Sequence, residues 1–197
     1  MRCPLNPTRW QYFRELRPFL FTALLLFALG IIAGTLLAGH STFAGLKINE
    51  SLGGFAQMFI NLPRPLLALM IFANNAVKTL LVIVLGIAFA IVPFVFILVN
   101  GVAIGVVLHL ATESKGLAYS MLAIVPHGLF ELPGVLSGAA IGVMLGSKAI
   151  KRLFRKSEFK VGSELSRALK IFATTIVPLL LIGAITEAYL TAAILGK

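Results

Sequence analysis

The chain has no aspartate, a single cysteine and three histidines, and only 12% of its residues are charged. Each shortage excludes something. One thiol, Cys3, cannot close a disulfide within the chain. No His/Cys spacing matches a structural zinc site. No nucleophile elbow, Walker loop or His-Glu-x-x-His motif occurs, so the sequence carries no recognisable enzyme signature.

What is abundant is apolar. Hydrophobic residues make up 59% of the chain and the mean hydropathy is +1.00, whereas soluble domains hold about 45–50% apolar residues. The solvent implied is a bilayer. The net charge of +10 invites a nucleic-acid partner, but its distribution rejects one. Residues 1–18 hold Arg2, Arg9, Arg14 and Arg17 against Glu15. Residues 147–170 hold eight cations, Lys148 to Lys170, against Glu158 and Glu164. Both basic segments flank apolar runs, the positive-inside pattern, and both suit anionic lipid headgroups.

Taken along the chain, these features predict an all-α fold, a polytopic transmembrane helix bundle of about five spans. Residues 1–18 form a cytoplasmic interfacial segment, and 19–197 a single transmembrane domain. The expected spans are 19–39, roughly 68–91, 95–111, 117–146 and about 169–195. The 47 residues from Pro65 to Ala111 are too long for one crossing, and Pro93 marks the expected break between two. Residues 112–116 read as a short polar turn. Pro126 and Pro133 predict a broken fourth span, since each removes an intrahelical hydrogen bond. In the loop 40–63, residues 51–60 read as an amphipathic surface helix. Five spans starting inside place both basic segments in the cytoplasm, with the N-terminus cytoplasmic and the C-terminus outside the cell membrane.

Glycines at four-residue spacing suit close helix contact: Gly30 and Gly34, Gly101 and Gly105, and the stripe Gly138, Gly142 and Gly146. Such faces serve either packing within the bundle or assembly with a second copy (a dimer) or other membrane proteins.

The polar residues within the spans are few. Asn74, Asn75 and Lys78 lie within about one helical turn of each other in the second span. Asn74, Asn75 and Asn100 need hydrogen-bond partners in hydrocarbon, whether as interhelical ties or as the lining of a cavity. Glu131 and Glu187 are the span carboxylates, and His127 shares a helical face with Glu131 at four-residue spacing. Gly183, one turn before Glu187, leaves room for another helix. Intramembrane ionisable groups are expensive and either functional or closely partnered. His127, Glu131 and Glu187 could hold a divalent metal ion, share a proton, or form a structural His–Glu pair.

Four elements carry a family resemblance: Phe72-Ala73-Asn74-Asn75, Asn100-Gly101 with Gly105, Pro126-His127-Gly128-Leu129-Phe130-Glu131-Leu132-Pro133, and Glu187-Ala188-Tyr189. Together they make the chain, over about residues 15–195, resemble the stage II sporulation protein M family of integral membrane proteins. The Pro-His-Gly…Glu element is its most specific part. In sporulating bacteria the resemblance implies a membrane scaffold for the peptidoglycan-remodelling complex of septal thinning and engulfment. Three functions therefore stand side by side: a non-enzymatic scaffold for membrane or cell-envelope complexes, a transporter or ion-binding protein using the His/Glu/Asn residues, and an intramembrane metal-dependent hydrolase using the same site with an open coordination position.

Overall fold

A computed structural model describes residues 9–40, 62–88, 91–154 and 160–191; the side chains of Arg9, Ala123, Ile124, Pro126, His127, Leu190 and Thr191 lie outside that description. The chain is a helical bundle, and no strand occurs among the described residues. The helices are α1 (Arg9–Gly39), α2 (Arg64–Ala88), α3 (Ile91–Lys115), α4 (Leu117–Leu153), α5 (Val161–Ile171) and α6 (Val177–Ile185). Two π-helical segments, Phe172–Ile176 and Thr186–Thr191, extend the last rod on either side of α6. Among the described residues, five stretches are long and apolar enough to cross a membrane: Trp10–Gly39, Arg64–Ala88, Ile91–Lys115, Gly128–Leu153 and Val161–Tyr189. The amphipathic helix expected at 51–60 lies outside the described residues.

Several boundaries differ from the sequence expectation, and each for a local reason. The fourth span is not broken: α4 runs unbroken from Leu117 to Leu153 through both prolines. Each proline costs a hydrogen bond to the carbonyl four residues earlier, about 3 kcal/mol in a helix interior. Packing offsets this, because every residue from Gly138 to Gly146 is buried. Pro93 is not the break between the second and third spans. It is the third residue of α3, in a first turn whose amides have no helical acceptor to lose. Nor is 112–116 a turn. α3 continues to Lys115, and the reversal is made at Gly116, whose φ of 83° and ψ of 161° belong to a region that only glycine occupies readily. Around it, Gly116 N–H donates to Thr112 O at 2.9 Å and Ser120 Oγ donates to Gly116 O at 3.0 Å.

In the last span, Pro178 sits at the start of α6, directly after the first π segment. Its ring nitrogen cannot donate the i→i−4 bond that regular α-winding would direct to Thr174, a local cause for the wider winding there.

α4 is the central rod, contacted by α1, α2, α3 and α6. Small residues set how close each neighbour comes. A β-carbon on Gly86 of α2 would meet the backbone of Gly142, and one on Gly138 would meet the Thr79 methyl. The glycine stripe of α4 is thus filled by its own chain. The α1–α3 pair crosses in the same manner. A β-carbon on Gly30 would lie 3.0 Å from the Gly101 α-carbon, one on Gly34 would strike Val102, and one on Gly105 would strike Ile31. Thr35 Oγ1 contributes a hydrogen bond to Ile31 O at 2.9 Å and reaches Gly105 O at 3.4 Å.

One end of the bundle is basic. There Lys148 Nζ of α4 pairs with Glu15 of α1 at 2.9 Å and Glu164 of α5 at 2.7 Å, while Arg167 Nη1 reaches Glu164 at 3.1 Å. Tyr12 is buried, and its hydroxyl has no hydrogen-bond partner among the described residues.

Candidate intramembrane polar site

Two asparagines adjacent in sequence point about 100° apart on an α-helix. On α2 this separates them: Asn75 is half-buried and Asn74 is exposed. Asn75 Nδ2 donates to Glu131 Oε1 of α4 at 2.5 Å. Asn74 Nδ2 reaches Asn75 Oδ1 at 3.4 Å. Glu131 is only 6% exposed. A buried carboxylate demands hydrogen-bond donors, and a carboxamide from a neighbouring helix supplies one without adding a charge.

The third wall comes from α6. A β-carbon on Gly183 would sit 2.8 Å from Glu131 Cγ and 3.1 Å from its backbone nitrogen. Only hydrogen at position 183 lets α6 lie flat against the carboxylate stem. Glu187 follows one turn later, half-buried, inside the terminal π segment. π-segments recur at functional sites because they displace side chains from the regular helical positions.

The other expected members are placed as follows. His127 lies on α4 one turn before Glu131, but its side chain is outside the described residues. Asn100 does not join the cluster; its Nδ2 donates to Phe96 O of its own helix at 2.7 Å. Among the described residues, no three His, Cys, Asp or Glu side chains come together as a metal-ligand group. Because the His127 side chain lies outside the described residues, the divalent-metal set of His127, Glu131 and Glu187 stays an expectation of the sequence.

The remaining polar residue expected in the second span belongs to this region too. Lys78 stands one turn after Asn74 on the same exposed face of α2. An amino group at the centre of a bilayer costs about 2.5–3.5 kcal/mol on insertion scales. Its signal in the sequence is an Asn-x-x-x-Lys spacing inside an otherwise apolar span, which by itself gives neither depth nor direction.

Two apolar grooves open to the side of the bundle. One, of about 590 Å³, lies between α1 and α4 and includes Leu24, Phe27, Gly128, Leu129 and Leu136. The other, of about 510 Å³, lies between α2 and the last span, against Phe72, Leu181 and Tyr189.

The fold and this site define an integral membrane protein, a helical bundle whose buried carboxylate is tied between helices. The chain belongs to the Stage II sporulation protein M family, whose model matches residues 23–192. It is also similar to the uncharacterized protein MJ0793 of Methanocaldococcus jannaschii, with 28% identity over 178 residues, covering 88% of this chain and 93% of that one. No solved structure matches the chain significantly.

Proposed function

We propose that the protein is a non-enzymatic membrane scaffold that organises membrane or cell-envelope complexes. The supporting observation is the use made of Glu131. Its carboxylate accepts a hydrogen bond from Asn75 of α2 and its stem is closed over by Gly183 of α6. The most costly group in the span thereby joins three helices, as an architectural tie does. By the positive-inside tendency, the basic end around Lys148 faces the cytoplasm, with the N-terminus beside it. The test is reconstitution of wild type and Glu131→Gln in liposomes. The amide keeps an acceptor for Asn75, so the variant should hold its melting temperature and native size, and neither protein should carry protons or divalent cations. A cation or proton flux in wild type that is lost in Glu131→Gln would overturn the scaffold reading.

A second reading, an ion- or proton-handling protein, draws on one observation. Asn74, Asn75 and Glu131 form a hydrogen-bonded chain from the exposed face of α2 to the buried carboxylate. The same liposome measurement, with metal analysis of purified protein beside it, decides between the two.

A further inference from the structure

We propose that the exposed face of α2 is a docking surface for a transmembrane helix of another protein, one that brings a carboxylate to the middle of the bilayer beside Lys78. This rests on the scaffold reading and names the surface and the partner chemistry it requires.

Depth comes first. Thr79 lies against Gly138 of α4, and Gly138 precedes Lys148 by ten residues, a rise of about 15 Å. Lys148 belongs to the charged network that marks the basic end of the bundle. The hydrocarbon core is about 30 Å thick, so the residue next to Thr79 stands close to its mid-plane. That residue is Lys78.

Exposure comes second. Met70, Asn74, Val77, Lys78 and Leu81 all lie on the outward side of α2. Lys78 is exposed and makes no hydrogen bond or ion pair among the described residues. An ammonium group facing acyl chains at this depth is among the least tolerated arrangements in a membrane protein. Asn74, one turn away, spends one amide hydrogen on Asn75 and turns the rest of its carboxamide to the same face. The face therefore offers a cation and a neutral hydrogen-bonding group, framed by apolar side chains. A transmembrane helix bearing a carboxylate complements all three.

A second copy of the chain fits less well. A two-fold axis along the membrane normal would set Lys78 against its own symmetry mate. The span carboxylates are also misplaced for it. Glu131 is buried against Asn75, and Glu187 lies one turn beyond Gly183, away from the basic end. Since Gly183 is level with Glu131, that puts Glu187 and Lys78 about 10 Å apart in depth.

The experiment places a photo-crosslinking amino acid at Val77 in the full chain, in native membranes, with Leu29 of α1 as a lipid-facing control. The expected product at Val77 is one other membrane protein whose crosslinked span contains Asp or Glu. Lys78→Leu should lower its yield by about tenfold or more, while the melting temperature of the purified variant stays within about 2 °C. Replacing the partner's carboxylate by Lys should abolish the product, and combining that change with Lys78→Glu should restore it. Label appearing only on lipid, on a second copy, or on residues 41–61 of the same chain would overturn the proposal, as would a yield unchanged by Lys78→Leu. If the chain migrates at its single-chain mass in native membranes, the scaffold reading falls as well. If a larger complex persists with no product at Val77, only this docking face falls.

Discussion

The α-carbon of Gly183 closes directly over the side chain of Glu131, leaving no room for a methyl group between α6 and α4. Gly183→Ala should therefore force the two helices apart, at a cost of about 1–3 kcal/mol, the usual range for overpacking. Gly162, near the start of α5, has open space where a methyl group would go, with no neighbour within 4 Å. There the same change should be neutral or stabilise by up to about 1 kcal/mol through helix propensity. Thermal melts of both variants in one detergent check the contrast, and equal shifts would refute it.

The hydrogen bond between Asn75 and Glu131 should appear as coupling in a double-mutant cycle. With Asn75→Ala, Glu131→Ala and the pair, an interaction energy of about 0.6–1.7 kcal/mol is expected, the range found for polar contacts inside membranes. A cycle that closes at zero would mean the two side chains do not hold each other.

Gly116 makes the reversal between α3 and α4 by itself, at a φ of 83°. No neighbour obstructs a side chain there, so the whole cost of Gly116→Ala is backbone strain, about 1–3 kcal/mol. Gly116→Asn should cost about as much, because asparagine's tolerance of positive φ is confined to the left-handed helical region and a ψ of 161° lies outside it. Chemical denaturation of the three proteins gives the ranking, and an alanine variant as stable as wild type would contradict it.

At the basic end, Lys148 contacts both Glu15 and Glu164, and the Glu164 side chain is 14% exposed against 52% for Glu15. Removing the shared cation should then cost more than removing the outer anion. Lys148→Met is expected to destabilise by about 1–3 kcal/mol, less than a fully buried pair would show, and Glu15→Gln by about 0–1 kcal/mol. Tyr12→Phe removes a buried hydroxyl that lacks a hydrogen-bond partner among the described residues, so it should leave stability unchanged or raise it. Melting curves at low salt order the three variants, and a destabilising Tyr12→Phe would show that the hydroxyl has a partner after all.

The number of spans was legible in the amino-acid order because hydropathy and length are properties of the chain itself, fixed by a bilayer of known thickness. The basic segments were legible for the same reason. Asn75 and Glu131 could be singled out as polar residues in hydrocarbon that must find partners. The sequence could not reveal that Asn75 turns inward while Asn74 turns out. In a span apolar on all sides, the faces toward lipid and toward protein look alike, so periodicity gives no direction.

The prolines show the converse limit. Pro126 and Pro133 weaken a helix locally, and reading them locally predicts a break. α4 stays continuous because the residues after them are enclosed by four neighbouring rods, a nonlocal fact. Likewise the Gly138–Gly142 stripe announced close packing without saying against what, and only the fold set it against α2. By itself, then, the sequence determined that the chain crosses a membrane and which polar groups must be satisfied there. The tertiary structure decided which helix satisfies each group, because contacts such as Lys148 with Glu15, 133 residues apart, exist only once the rods are assembled.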